Sequence, residues 1–255
     1  MARRIGSRNR REEQAIQLRL LDRLEAQHER HFRRELSSTY REMADWLEAG
    51  NSLDLYNIQS HRERVGQMMA STWERSATTF GQRILDAAGK AHGRHAVQTK
   101  ELPDAFMAGL MAFQRIWLAQ KITQVSGTTM TQAAQVIKRG EEEGLGVEPI
   151  AAMLRQRASV FAGVRAHVIA RTETHAGQGW GNQSAAEASG LDLEKEWISA
   201  NDERTREDHS RADGQTVGNR EMFIVGGDAL AYPGDMNGPA EQVIMCRCVA
   251  GYLAR

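Results

Sequence analysis

The strongest constraint on the fold is the spacing of apolar residues over roughly the first 145 positions. The first stripe advances mostly in steps of three or four and contains Ile16, Leu20, Leu24, Phe32, Leu36, Tyr40, Met43 and Leu47. Residues three or four apart share one face of an α-helix, so this stripe predicts a helix from about Glu12 to Glu48, ended by Gly50. Similar stripes predict helices over residues 65–88, 103–127 and 128–143, and four such helices can bury their apolar faces in a bundle.

The pattern changes in the C-terminal part of the chain. A short helix over residues 148–157 comes first, followed by a longer one that Ser159 is predicted to cap. Beyond Gly190, short apolar runs at residues 196–198, 222–225, 243–245 and 249–253 alternate with glycine-containing turns, which is typical of a small sheet. We therefore predict an α+β protein, with a long-helical docking region over residues 1–145 and a smaller helix-plus-sheet domain over residues 146–255.

Charge is balanced over the whole chain but not along it. The 33 basic and 33 acidic residues cancel, which argues against a protein that binds DNA over its whole surface. Residues 1–11, in contrast, hold no acidic residue and carry the five arginines Arg3, Arg4, Arg8, Arg10 and Arg11. Because arginine pairs with phosphate, this N-terminal arm either contacts double-stranded DNA or is a solvated, disordered tail.

The sequence also bears on the compartment. It has no run of eighteen apolar residues and no apolar stretch behind its basic N-terminus, so we expect neither a membrane span nor a secretory signal. The two cysteines, Cys246 and Cys248, are separated by one residue, and a disulfide between them would close a strained ring. A cytosolic, reducing origin is therefore expected.

Polar residues that could carry chemistry are concentrated between residues 171 and 248. Arg171 follows an apolar stretch, and a buried arginine needs a carboxylate partner, for which the candidates are Glu173, Asp202 and Asp213. The favoured interpretation is a structural network that orders the small sheet and contains Arg171, Glu173, Asp202, Arg204, His209 and Asp213. Five histidines in the first 145 residues are expected to be solvated or to cap helices: His28, His31, His61, His92 and His95.

Two alternatives to a purely structural network stay open. Zinc accepts the ligand types of Asp202, His209, Cys246 and Cys248, although a C-x-C pair with one distant histidine lacks the paired C-x-x-C spacing of a structural zinc site. Small buried cysteines without a cofactor are therefore the expected state. The same residues could carry out acid–base chemistry, but the chain has no nucleophile elbow, phosphate-binding glycine loop or H-E-x-x-H motif, so we expect no catalytic residue.

Several short motifs follow one another in a definite order over residues 146–255. They are Ile169-Ala170-Arg171-Thr172-Glu173-Thr174, Trp197, Asp202-Glu203-Arg204-Thr205-Arg206, His209, Asp213-Gly214, Phe223, Gly226-Gly227, Pro233-Gly234-Asp235 and Cys246-Arg247-Cys248. The ordered set resembles the C-terminal domain of the phage Mu protein F-like head morphogenesis proteins. The chain departs from that family's pattern at Met245, where asparagine is usual, at Met236, where proline is common, and at Val243, where some relatives have histidine.

The resemblance implies a minor capsid protein of a tailed phage, assembled in the host cytoplasm and present in few copies inside the head near the portal. It implies a part in head assembly, DNA packaging or delivery, with the portal protein, the major capsid protein or a scaffolding protein as partners. Because the domain has been likened to ADP-ribosyltransferase folds, it also raises the alternative of an NAD-using or metal-dependent enzyme built on Arg171, Glu173, Asp202 and His209. The chain ends at Arg255, soon after the last motif, so no fused toxin is expected.

Overall fold

Four long helices form most of the chain. A computed structural model describes residues 3–91 and 102–255. After a two-residue strand, β1 (Arg3–Arg4), come α1 (Arg10–Glu48), a 3-10 turn (Leu53–Leu55), α2 (Gln59–Ala91), α3 (Asp104–Glu142) and α4 (Val147–Ala188). None of the helices in the described ranges is long and apolar enough to cross a membrane.

The C-terminal region contains short strands and two short helices. In chain order these are β2 (Leu193–Ile198), α5 (Glu207–Arg211), β3 (Thr216–Gly218), β4 (Phe223–Val225), β5 (Asp228–Leu230), α6 (Ala240–Val243) and β6 (Val249–Ala254). One antiparallel sheet has the strand order β1-β6-β2-β3, and β4 with β5 forms a separate hairpin. The predicted α+β class, with long N-terminal helices and a small C-terminal helix-plus-sheet region, is confirmed.

Two predicted helix boundaries are wrong. Helix α3 continues through Gly127, so residues 128–142 belong to it and do not form a separate helix. Thr128 Oγ1 donates to the carbonyl oxygen of Gln124 within this helix. Helix α4 continues through Ser159, whose Oγ donates to the carbonyl oxygen of Gln156. A glycine inside a helix costs about 1 kcal/mol, and burial of the flanking residues Val125 and Thr129 outweighs that cost.

The third predicted strand is also wrong. Residues 240–243 form helix α6, and Met245 adopts a positive φ of 60°, which ends regular structure. The two cysteines therefore lie in an irregular segment just before β6, although both are buried and Arg247 between them is half-buried.

The described chain separates into two compact units. Unit 1 consists of residues 1–25, 72–113 and 171–255, and unit 2 consists of residues 26–71 and 114–170. Each long helix thus contributes one segment to each unit, and unit 1 combines the C-terminal strands with N-terminal helix segments. The predicted boundary between residues 145 and 146 falls in the turn between α3 and α4. It remains a prediction about how the sequence is organised.

Unit 2 is a four-helix arrangement with an apolar interior. Phe32, Leu36, Val65 and Met69 from α1 and α2 pack with residues of α3 and α4. The small residues Ala162, Ala166 and Ala170 recur every four positions on α4, which lets the neighbouring helices approach closely.

Two of the five histidines expected to be solvated or capping are buried instead. His61 is 1% exposed and its Nδ1 lies 2.9 Å from Glu35 Oε1, and His28 is 4% exposed. His31 is exposed as expected. His92 and His95 lie outside the described residues.

Unit 1 contains the sheet and its core. Trp197 of β2 packs edge-on against Phe223 and His209, and the cluster also contains Val225, Leu230 and both cysteines. Strand β1 pairs with β6 in the register Arg3 to Ala254 and Arg4 to Leu253. Residues close to the two ends of the printed sequence therefore share one sheet.

A buried lysine sits in this sheet and was not singled out from the sequence. Lys195 is 1% exposed, and its Nζ donates to the Ala231 carbonyl oxygen at 2.7 Å and to Gln183 Oε1 at 3.3 Å. Burial lowers the pKa of Lys195 to about 8. The unfolded chain keeps its proton on this side chain up to about pH 10.4. Between these two values the unfolded chain holds more protons than the folded one, so stability rises with pH.

We expect the Lys195→Met variant to lack this pH dependence. From pH 8 to pH 10, the free energy of unfolding of the original chain should rise by about 2 kcal/mol relative to that of the variant. Urea denaturation at each pH measures it. The matched control is Lys138→Met, because the Lys138 side chain is 76% exposed and its removal should leave the pH profile unchanged. Parallel profiles for K195M and the original chain would contradict the prediction.

Candidate functional site

The candidate site is a buried group of one histidine and two cysteines in unit 1. His209 lies on α5, and Cys246 and Cys248 lie between α6 and β6. The three residues are 1%, 2% and 1% exposed. His209 Nδ1 lies 3.3 Å from Cys248 Sγ and 3.5 Å from Cys246 Sγ, and all three atoms are within 4.8 Å of one another. We call these residues the His–Cys–Cys cluster.

The orientation of the His209 ring follows from two further residues. Gln242 Nε2 donates to Asp228 Oδ2 at 3.3 Å, and this places Gln242 Oε1 2.9 Å from His209 Nε2. An amide oxygen only accepts, so Nε2 of the histidine carries the hydrogen. The lone pair on Nδ1 consequently faces the two sulfur atoms.

A glycine allows this chain of contacts. A Cβ atom on Gly226 would lie 2.7 Å from Gln242 Nε2 and 2.4 Å from Asp208 Oδ2, and its φ is +61°. A larger side chain at position 226 would therefore displace the glutamine that orients His209.

The two thiols are electrostatically different. Burial raises the pKa of Cys246, but hydrogen bonds from the Cys248 thiol and the Cys248 backbone more than offset it, so that the pKa is lowered overall. The same thiol–thiol contact, together with burial, holds the pKa of Cys248 well above its usual range. Both cysteines are free, with no disulfide between them.

A second buried histidine positions the backbone of the cluster. His175 on α4 lies with Nε2 2.7 Å from the Cys248 carbonyl oxygen, to which it donates. Burial lowers the pKa of His175 to about 4, so the ring is neutral at pH 7. Its Nδ1 faces Gly234, where an added Cβ would lie 2.4 Å away.

A cavity of about 400 Å³ opens beside the cluster. Its lining includes all three cluster residues and a number of charged side chains. The latter are Arg171, Asp202, Glu203, Arg204, Arg206 and Arg247. One side of the His–Cys–Cys cluster therefore faces an arginine-rich cavity and not packed protein.

The structure places three of the four predicted zinc ligands together. Asp202 lies outside the His–Cys–Cys cluster: it is exposed, and its Oδ1 accepts from the Arg204 backbone N–H and the Thr205 hydroxyl, both at 3.0 Å. It forms a turn at the rim of the cavity.

The six residues of the predicted structural network make separate contacts. Asp202 and Arg204 meet in the turn just described. Asp213 Oδ1 accepts from the Ser199 backbone N–H at 2.7 Å and pairs with Arg10, and these contacts lower its pKa overall although burial acts in the opposite direction. Glu173 accepts from Trp73 Nε1 at 3.0 Å, and His209 belongs to the His–Cys–Cys cluster.

The partner of Arg171 was not among the sequence candidates. Arg171 Nε donates to Glu25 Oε2 at 3.1 Å, and the two side chains are 11% and 9% exposed. Burial raises the pKa of Glu25 although Arg171 and Arg247 oppose the shift. Glu25 belongs to α1, far from Arg171 in sequence, and no local motif pointed to it.

The five arginines of the N-terminal arm have different environments. Arg4 pairs with Glu196, and Arg10 pairs with Glu196 and Asp213, so these two are held within unit 1. Arg8 is exposed and pairs with Glu12, while Arg3 and Arg11 are exposed. Because residue 3 begins β1 and residue 10 begins α1, the alternative of a disordered tail is wrong for residues 3–11.

Met245, which lines the cavity, occupies a strained backbone position. Its φ of 60° is one that asparagine adopts more readily than methionine. We expect Met245→Asn to raise the free energy of unfolding by up to about 1 kcal/mol. The bond from its backbone N–H to Thr172 Oγ1 at 3.2 Å should be kept. Urea denaturation measures the change, and a loss of stability would show that the side-chain packing of Met245 outweighs the backbone strain.

Comparison with known proteins identifies a family that part of the chain matches. Residues 131–251 match the family described as phage Mu protein F like protein. Minor head protein GP7 of Bacillus phage SPP1 is 34% identical over 124 residues, which are 47% of this chain and 39% of that protein. The chain thus spans about two fifths of the length of this curated relative. No solved structure matches.

Proposed function

Because residues 131–251 belong to the phage Mu protein F-like family, we propose that this chain is a minor head protein of a tailed phage. It acts by holding other head proteins together, not by converting a substrate. The family match, with the 34% identity to minor head protein GP7, is the observation that carries this proposal. The proposed location is the virion, in the interior of the head near the portal, after assembly in the host cytoplasm.

The contacts in unit 1 support a structural role. Arg171 and Glu173, on which an ADP-ribosyltransferase-like site would depend, are engaged by Glu25 and Trp73 and are largely buried. NAD hydrolysis by the purified chain, lost in the Glu173→Gln variant, would contradict the non-enzymatic function.

A candidate contact surface for another head protein lies on unit 2. Val160 and Val164 are one helical turn apart on α4 and are 57% and 67% exposed. Covering these two side chains with another protein would remove apolar surface from water, which favours association. We propose that the portal protein packs here, with the major capsid protein and a scaffolding protein as the alternatives that the experiment distinguishes.

The experiment is co-expression with the neighbouring head genes, followed by purification of assembled particles. The original chain should be recovered at a few copies per particle and should cross-link to the portal protein. A Val160→Glu, Val164→Glu double variant should be lost from particles while remaining folded. The control is Leu55→Glu, because Leu55 is 72% exposed and lies outside the proposed surface. A chain that stays free and soluble beside complete particles would contradict the proposal.

Truncation of the N-terminus would be a poor test of docking. Strand β1 pairs with β6, and Leu21 and Leu24 pack with Phe80 and Ile198 in the core of unit 1. Deletion would therefore disturb folding and particle incorporation together, which is why surface substitutions are preferred.

The N-terminal arm supports a narrower proposal for DNA than the sequence suggested. Because Arg4 and Arg10 are held in partly buried ion pairs, the exposed Arg3, Arg8 and Arg11 are the arginines available to phosphate. Arg8 must exchange its surface pair with Glu12 for the phosphate contact. If all three contact duplex DNA, log K should fall with log salt with a slope of about −3. Replacing the three by alanine should remove this dependence, measured by fluorescence anisotropy. Unchanged binding would show that the arm does not contact DNA.

A further inference from the structure

We propose that His209, Cys246 and Cys248 bind one zinc ion, with the fourth coordination position facing the adjacent cavity. Three observations lead to this proposal: the spacing of the three ligand atoms, the fixed orientation of the imidazole, and the open side of the cluster. Zinc in proteins is bound by thiolate sulfur and imidazole nitrogen in tetrahedral geometry.

The spacing fits a tetrahedral ion. Bonds of about 2.3 Å to sulfur and about 2.1 Å to nitrogen, at tetrahedral angles, separate nitrogen and sulfur by about 3.6 Å. The distances from His209 Nδ1 to the two sulfur atoms are 3.3 Å and 3.5 Å. Binding therefore needs shifts of only a few tenths of an ångström in side chains that are already buried together.

The imidazole presents the atom that a metal requires. Because Asp228 orients the Gln242 amide, and Gln242 Oε1 accepts from His209 Nε2, the lone pair on Nδ1 points at the sulfur atoms. A hydrogen bond from the remote ring nitrogen to a carbonyl group is the usual support of a metal-bound histidine. His175, through the carbonyl oxygen of Cys248, supports the backbone of a second ligand in a similar way.

Charge also favours the ion. Two thiolates and one Zn²⁺ sum to zero, so the bound site adds no net charge to a buried region. The cavity leaves space for a water molecule at the fourth position.

Metal analysis of the full-length chain is the first test. The chain is purified without chelators, and its affinity tag is removed. We expect about one zinc ion per chain, lost in the Cys246→Ser, Cys248→Ser double variant and kept in His61→Gln. The His61 variant is the matched control because His61 is also a buried, hydrogen-bonded histidine but belongs to unit 2.

A cysteine variant that fails to fold would lose zinc for a trivial reason, so two further measurements are needed. Gln242→Leu keeps all three ligands and should weaken zinc binding about 10- to 100-fold in competition with a chromogenic chelator. Its control is Gln114→Leu, since the Gln114 side chain donates to the Ala70 carbonyl oxygen in unit 2. In the unaltered chain, removal of zinc should increase the rate at which a thiol reagent modifies the cysteines.

The outcomes that overturn the proposal are equally definite. The proposal is wrong if the folded chain contains no zinc, binds none when Zn²⁺ is added, and shows the same thiol reactivity with and without a chelator. The cluster would then contain only a hydrogen bond between the histidine and a thiol. Stoichiometric binding of a different metal in place of zinc would also overturn it. Unchanged zinc affinity in the Gln242→Leu variant would show that Gln242 does not support the site in the way proposed.

Discussion

Replacing Arg171 by methionine is expected to lower the free energy of unfolding by about 3–5 kcal/mol at pH 7. Arg171 and Glu25 form an ion pair in which both side chains are largely buried. Methionine fills much of the same volume but leaves the Glu25 carboxylate without its partner. An unpaired charge in a buried position is far more costly than the loss of the attraction itself.

The partner substitution should behave differently. Glu25→Gln removes the negative charge and keeps a group that can accept from Arg171, so it should destabilise less than Arg171→Met. The double variant, with both charges removed, should recover most of the stability lost in Arg171→Met. Replacing a buried ion pair by uncharged residues of similar volume often changes stability little. Urea denaturation of all four proteins measures the coupling.

The pH dependence of the single variant supplies a second check. Without Arg171, burial raises the pKa of Glu25 further above its value in the unfolded chain, about 4.3. The destabilisation should therefore be largest above that raised pKa and should shrink as the pH falls towards 5. Arg155→Met is the control, since Arg155 forms ion pairs at the surface. Its replacement should lower the free energy of unfolding much less at every pH. Equal losses for the two arginine variants would contradict the account.

The same ion pair shows where sequence reasoning succeeds and where it ends. The sequence predicted that Arg171 would enter a core and need a carboxylate, which depends only on helical periodicity and the cost of buried charge. The carboxylate itself lies 146 positions away on α1. No local pattern around Arg171 indicates this partner, because the packing of α1 in unit 1 depends on contacts between residues far apart in sequence.

Secondary structure was predictable to the extent that local patterns decide it. The α+β class and the long helices follow from apolar spacing, whereas the breaks predicted at Gly127 and Ser159 do not exist. Helix signals at those two places are weak preferences, and burial on either side overrides them. Strand β1 was missed because two residues carry no alternation, and their pairing with β6 joins opposite ends of the printed sequence.

The candidate site was predictable in composition but not in geometry. The sequence brought forward His209, Cys246 and Cys248, along with Asp202, as residue types that zinc accepts. It did not indicate that Gln242 and Asp228 orient the imidazole, because no known motif relates their positions in the sequence to those of the ligands. The support of a ligand is a three-dimensional property, and this support is what distinguishes a zinc site from two small buried cysteines.

Glycines on α4 illustrate the same limit and lead to the second large effect. A Cβ atom on Gly181 would lie 2.4 Å from the Ala77 carbonyl oxygen and 2.5 Å from its Cα, so α2 and α4 approach closely within unit 1. Both atoms belong to the backbone and cannot move aside as a flexible side chain could. We expect Gly181→Ala to lower the free energy of unfolding by about 3 kcal/mol, near the upper end for overpacking, because the helices must separate.

Gly127 is the matched control, because it too lies inside a long helix but has no atom within 4 Å of an added Cβ. There, alanine should stabilise the protein by about 0.5–1 kcal/mol through its higher helix propensity. The two substitutions are chemically identical, but they should change the free energy of unfolding in opposite directions, as measured by urea denaturation. Stabilisation by both would mean that α2 and α4 are not in close contact at Gly181, since helix propensity alone would then decide the result. A loss of stability in Gly181→Ala alone would show that the close backbone contact makes glycine necessary at this position of unit 1. No sequence pattern distinguishes Gly181 from an ordinary helical glycine.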